Sequence, residues 1–176
     1  MSGTTEAVKP TLVLGYTGAG KTTVGRMIAK LEGGRCIDTS AMIIRDYARE
    51  MGESAWWITF RKRRRRESLF RWGRMGAVGD GPDVWVRMAV QEGATVVAGI
   101  RALDELWAAK DCAKRIVWVV RRGVQHGPTD MILWDDAVRA ANAAGVPLEL
   151  IENNDSAPFW RRRLRGQVAE RLGVRA

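Results

Sequence analysis

Gly15-Tyr16-Thr17-Gly18-Ala19-Gly20-Lys21-Thr22 decides the reading of this chain, because its neighbours on both sides suit it. Before it, Thr11-Leu12-Val13-Leu14 is a short apolar run that reads as a buried strand. After it, Thr23 to Lys30 reads as a helix with Val24, Met27 and Ile28 on one side. Strand, glycine-rich turn and helix in that order aim several backbone N–H groups and the positive end of a helix at one anion. Gly15, Thr17, Gly18, Ala19, Gly20, Lys21, Thr22 and Thr23 therefore form the expected cradle for the phosphates of ATP. Lys21 would reach the β- and γ-phosphates, and the Thr22 hydroxyl would ligand Mg²⁺.

Working outward, short apolar strands alternate with helices along the whole chain. Strands are expected at Gly34–Asp38, Ala94–Gly99, Arg115–Val120 and Leu148–Ile151. Helices are expected from Thr39 or Ser40 through Ala48, from Pro82 or Asp83 through Met88, over Leu103–Ala113 and over Asp130–Ala144. A basic amphipathic helix closes the chain over Ala157–Leu172, with Leu164, Val168 and Leu172 inward. Gly79-Asp80-Gly81-Pro82-Asp83 reads as a breaker, and residues 1–9 as a disordered leader. This alternation predicts a single α/β domain of three layers, a parallel sheet covered by helices on both faces.

At 176 residues, with 46% hydrophobic and 28% charged residues, the composition is that of an ordinary globular protein. No apolar run approaches the roughly twenty residues of a membrane span. The N-terminus lacks the basic and apolar blocks of a signal peptide. Cys36 and Cys112 are isolated and read as reduced thiols, and the expected setting is cytoplasmic. The single His126 excludes multi-histidine metal sites. The net charge of +9 is unusual and suits a phosphate-rich partner, with DNA the expected one; eight tryptophans are also many. Oligomeric state is not legible.

Charge and aromatics meet between Trp56 and Arg74. Trp56, Trp57 and Phe60 lead into Arg61-Lys62-Arg63-Arg64-Arg65-Arg66, followed by Arg71, Trp72 and Arg74. Six consecutive cations cannot share one helix face. A solvated charged helix over core tryptophans is one reading, and Trp85 and Trp118 are read as core. The other is a nucleic-acid surface in which Arg63, Arg64 and Arg71 contact phosphates and Trp57 stacks on a base.

The chain resembles the P-loop kinases of the nucleoside-monophosphate-kinase group, particularly phage deoxynucleoside monophosphate kinases. The residues that carry the likeness are the phosphate loop, Ile37-Asp38-Thr39-Ser40 with Arg45, Gly81-Pro82-Asp83-Val84-Trp85-Val86, and Val96-Val97-Ala98-Gly99-Ile100-Arg101 with Glu105. Val119-Val120-Arg121-Arg122 and Ile151-Glu152-Asn153-Asn154-Asp155-Ser156 complete it. The resemblance implies a five-stranded parallel sheet, an acceptor-binding helical region over 39–93 and a lid over 121–146. It implies that Arg45 and Arg101 hold the acceptor phosphate, with surface ion pairs as the alternative. It also implies that Arg121 and Arg122 draw charge off the transferring group, and that Asn153 and Asn154 contact the adenine.

Two positions depart from that pattern. Many relatives carry an acid just before the glycine that ends the third strand; here it is Ala98. Conversely, Asp38 ends the second strand, where kinases that phosphorylate alcohols, such as shikimate and polynucleotide kinases, place an aspartate. An alcohol proton must leave, and a carboxylate within reach accepts it. Asp38 is thus read as general base or as holder of the Mg²⁺ waters, with helix capping as the alternative. Three functions follow. The first is a kinase for a hydroxyl on DNA, of the type of the phage 5-hydroxymethyluracil DNA kinase. The second is a deoxynucleoside monophosphate kinase, and the third a non-catalytic nucleic-acid-binding module regulated by nucleotide.

Overall fold

A computed structural model describes residues 9–154 and 160–174. Most of the expected leader, and the start of the expected last helix over 157–159, lie outside those residues. Five strands, β1 (Thr11–Leu14), β2 (Cys36–Asp38), β3 (Val96–Ala98), β4 (Arg115–Val120) and β5 (Leu148–Glu152), form one sheet in the order β2-β3-β1-β4-β5. Every pairing is parallel. The strands are apolar on both faces because both faces are covered: β1 and β3 are buried along their whole length.

Two apolar clusters divide the core. One side packs Leu12, Leu14, Val97 and Ile116 against Trp85, Leu106 and Ala137. The other packs Val13, Val96 and Val117 against Val24, Ile28, Leu164 and Val168. Helices α1 (Lys21–Leu31) and α8 (Trp160–Leu172) supply that second side, and the expected inward residues Leu164, Val168 and Leu172 are buried. Trp85 and Trp118 are core residues at 6% and 3% exposure, as their apolar settings imply.

Between β2 and β3 the chain builds a helical subregion: α2 (Thr39–Met51), α3 (Ala55–Phe60), α4 (Arg66–Asp80) and α5 (Val84–Gln91). It has its own small core of Ile44, Tyr47, Ile58 and Leu69. The expected breaker at Gly79–Asp83 acts later than the sequence implies. Helix α4 runs on through Asp80 and stops at Gly81, whose φ of 99° ends the helical path.

Beyond β3, α6 (Leu103–Ala109) ends in a short 3₁₀ turn over Lys110–Cys112, and α7 (Trp134–Ala144) precedes β5. The expected helix from Asp130 therefore begins four residues later. Asp136 accepts the Leu133 N–H at 2.8 Å and starts the helix there, while the Asp130 carboxylate is engaged elsewhere.

Candidate active site

The phosphate loop joins β1 to α1. Gly20 stands at the helix entrance with φ 95°, a left-handed conformation that glycine adopts at little cost. Lys21 is buried, and its Nζ donates to the carbonyls of Gly15 at 2.6 Å and Tyr16 at 3.0 Å, curling back over the loop. Burial, with the Arg101 charge second, pulls its pKa down to about 8, against the opposing pull of Asp130 and Asp38.

Two side chains from distant sequence brace the loop. Asn153, just past β5, donates through Nδ2 to the Ala19 carbonyl at 2.8 Å, and its own N–H donates to the Val120 carbonyl. Its amide is thereby engaged with the loop backbone. Exposed Asn154 accepts the Arg122 N–H and donates to Glu152. Asp130 accepts from the Thr17 N–H at 3.0 Å, from the Thr17 hydroxyl at 2.7 Å and from the Gly127 N–H at 3.1 Å. Burial raises its carboxyl, but these bonds and the Lys21 charge outweigh it and hold the pKa below the usual value. No local motif marks Asp130; it meets Thr17 only through the fold.

Asp38 caps and reaches at once. Its Oδ1 accepts the Ser40 N–H at 2.9 Å, and its Oδ2 accepts the Thr22 hydroxyl at 2.5 Å. Burial pushes its pKa up, yet the Thr22 and Ser40 bonds and the Lys62 charge more than compensate and keep it ionised. Gly99 makes the approach possible: a Cβ there would lie 2.5 Å from Asp38 Oδ1 and 2.7 Å from Thr39 Oγ1. A hydroxyl beside an ionised carboxylate is a donor set of hard oxygens that fits Mg²⁺. Thr22 and Asp38 are the residues that would hold it or its waters.

Beside Asp38 and Gly99 opens a cleft of about 620 Å³, its mouth included, between the sheet end and α4. Phe70, Ala77, Pro82 and Trp85 give it apolar walls, and Lys62, Arg66, Arg74 and Arg101 give it cations. Arg74 is paired with Asp104. Arg101 is half-buried, and its guanidinium donates weakly to Thr129 at 3.4 Å. Burial lowers the pKa of Lys62, with Asp38 opposing. Glu105 is buried in the cleft floor, where burial lifts its carboxyl to about 7 despite N–H bonds from Arg101 and Ala102.

The expected site residues divide accordingly. Lys21, Thr22, Asp38 and the loop glycines converge, and Arg101 lines the adjoining cleft. Arg121 and Arg122 are exposed on the loop leaving β4. Arg45 is an exposed partner of Glu92 at 3.1 Å, outside the cleft lining, and Arg71 pairs with Glu67 on the exposed side of α4. The cationic run is a turn between α3 and α4 whose members diverge. Arg61 lies 4.0 Å over the Trp57 ring, Arg65 pairs with Glu53 and Tyr47, and Arg63 and Arg64 are exposed. Lys62 and Arg66 enter the cleft. Sequence reasoning had no means of choosing those two, since phase within an unbroken run of cations carries no pattern.

On the outer side of that turn, Trp56 and Phe60 are 70% and 73% exposed. With Trp57 they form three rings about 6 Å apart with interplanar angles of 13° to 26°.

Strand order, phosphate loop and cleft define the P-loop fold of the nucleoside-monophosphate-kinase type. The chain is similar in structure to shikimate kinase from Bacteroides thetaiotaomicron, with a TM-score of 0.51 and 13% identity over 93% of this chain and 98% of that one. Shikimate kinase from Acinetobacter baumannii, solved with shikimate, matches at a TM-score of 0.49 and 20% identity over 95% of each chain. No protein-family model matches the sequence, and no curated protein does. Among the described residues, no helix is long and apolar enough to cross a membrane.

Proposed function

We propose that this protein is an ATP-dependent kinase that phosphorylates a hydroxyl on nucleic acid, with the hydroxymethyl group of 5-hydroxymethyluracil in DNA as the acceptor. The observation that carries this reading is the position of Asp38. Its ionised carboxylate touches Thr22 on the nucleotide side and borders Gly99 on the cleft side. A phosphate acceptor needs no base there, whereas an alcohol does.

In this reading ATP lies along the phosphate loop, its charge met by the loop N–H groups and Lys21. Mg²⁺ supplies charge neutralisation at the phosphates when bound beside Thr22 and Asp38. The acceptor hydroxyl enters from the cleft, Asp38 takes its proton, and the hydroxyl oxygen bonds to the γ-phosphorus as the bond to the β-bridging oxygen breaks. Arg101 and Lys62 flank the anionic centre. Arg121 and Arg122 sit on the loop between β4 and Asp130 from which a lid would close. Support for a polymeric acceptor comes from the exposed rings of α3 beside Arg63 and Arg64, a surface suited to bases and backbone phosphates.

The cations of the cleft also favour a second reading, a deoxynucleoside monophosphate kinase, in which Lys62, Arg66 and Arg101 grip the phosphate of a free nucleotide. One competition assay separates the two. With γ-labelled ATP, Mg²⁺, the four deoxynucleoside monophosphates and DNA with and without 5-hydroxymethyluracil, label is expected only in the hydroxymethylated DNA. Label confined to diphosphates selects the second reading. Nucleotide binding with no transfer selects the non-catalytic module.

A further inference from the structure

The cleft floor holds two buried polar atoms without hydrogen-bond partners among the described residues, Glu105 Oε1 and Arg101 Nε. Buried polar atoms are almost always paired, and leaving one unpaired costs free energy that a bound molecule can recover. Glu105 is 8% exposed, and its other oxygen accepts the Arg101 N–H at 3.3 Å, which fixes the carboxyl against the loop after β3. Both residues line the same cleft, whose walls at Phe70, Pro82 and Trp85 are flat and apolar. Such walls suit a planar ring.

We propose that Glu105 and Arg101 form a subsite that reads an imide edge on the acceptor ring, an N–H flanked by two carbonyls. Glu105 Oε1 accepts the ring N–H, and Arg101 Nε–H donates to the neighbouring carbonyl. The pattern of the floor selects this edge. Among the charged side chains of the lining, Lys62, Arg66, Arg74 and Arg101 donate and Glu105 alone accepts, with the Ser40 hydroxyl able to do either. The complement of that set is one donor between acceptors, which uracil-type rings carry. A cytosine-type ring sets a bare ring nitrogen against Glu105 and an amino group, in place of the carbonyl, against Arg101 Nε–H. The charges facing Glu105 are Arg101 on the loop after β3, Asp104 on its own helix and Arg74 from α4, which Asp104 already engages. The proposal rests on the cleft being the acceptor site.

The test is calorimetric titration of the full chain, holding Mg²⁺ and a non-hydrolysable ATP analogue. The probes are 5-hydroxymethyl-2′-deoxyuridine, its N3-methyl derivative and 5-hydroxymethyl-2′-deoxycytidine. The first is expected to bind about tenfold or more tighter than the other two, because each of them leaves Glu105 or a donor unpaired. Glu105→Ala should erase the preference. Glu105→Gln, whose amide oxygen still accepts an N–H, should keep most of it. Unchanged affinity for the ATP analogue in both variants establishes that they fold. Equal binding of the three probes, no binding by any of them at millimolar concentration, or an intact preference in Glu105→Ala overturns the proposal. Ring preference without phosphorylation of hydroxymethylated DNA would sink the kinase reading alone. DNA phosphorylation without ring preference would sink the subsite alone.

Discussion

The phosphate loop and the α3–α4 connection are both dense in charge or glycine, and they obey opposite rules. In the loop, residues adjacent in sequence stay together: Gly20 turns the chain into α1, Lys21 curls back over the Gly15 and Tyr16 carbonyls, and Thr22 meets Asp38. In the connection, adjacent cations go separate ways. Arg61 covers a tryptophan, Lys62 and Arg66 line the cleft, Arg65 joins Glu53, and Arg63 and Arg64 face solvent. A tight turn with left-handed glycines focuses side chains, whereas a helical turn near 100° per residue disperses them. Charge density in a sequence is therefore not charge density at a site.

The comparison breaks most easily at Lys21. Lys21→Ala should lower kcat by about 10²–10³-fold or more, read by labelled phosphoryl transfer, because no neighbour in the loop can replace its charge. Asp38→Asn comes next. It should cut transfer to an alcohol by about 10²–10⁴-fold while leaving ATP-analogue affinity within a few fold. Near-normal turnover in that variant would remove Asp38 from the chemistry and leave it a helix cap.

Within the cationic run the effects should split by direction and not by residue type. Lys62→Ala should raise KM for the acceptor roughly tenfold to a hundredfold, as loss of a partly buried charged donor does. Arg64→Ala, by contrast, should barely alter binding of a free nucleoside. It should lower the salt dependence of DNA binding by about one unit of slope. Equal effects of the two substitutions on both ligands would mean that the run acts as one patch after all.

The smallest effect is a proton. Lys21 titrates near 8 in the free protein, and bound phosphates raise that value by favouring its charged form. Nucleotide binding should thus take up a proton at pH 8.5–9, approaching one per site, and almost none near pH 6. The affinity should fall as pH rises past about 8. Calorimetry in buffers of differing ionisation enthalpy measures this directly, and the Lys21→Ala variant should show no such uptake.

Much of the fold was legible because it is local. Apolar strands of three to six residues, glycine punctuation and helical periodicity located every strand to within two residues, and the phosphate loop announced itself. The acceptor side was legible only in outline. The family resemblance pointed to Arg101, which lines the cleft, and equally to Arg45, which answers to Glu92 across a contact that spacing does not encode. Asp130 reads as the start of a helix until the fold sets it against Thr17, 113 residues away in sequence. Lys62 is invisible inside its run, since which member of six cations points inward depends on where the turn between α3 and α4 begins. Asp38 carried two readings, helix cap and base or metal holder; one oxygen caps α2 through the Ser40 N–H, and the other accepts the Thr22 hydroxyl and leaves the second reading to experiment.

The bond from Asn153 to the Ala19 carbonyl gives the phosphate loop a history as well as a shape. The loop is written within the first 22 residues, yet one of its braces is among the last parts of the sheet to leave a ribosome. Until β5 emerges and docks, the Ala19 carbonyl has no such partner, and the loop lies against an unfinished sheet edge. Nascent chains halted before residue 153 should therefore fail to hold nucleotide, although they already carry every residue of the motif. Failure of those chains would mean that nucleotide is acquired late in synthesis, and that an incomplete copy does not compete for it.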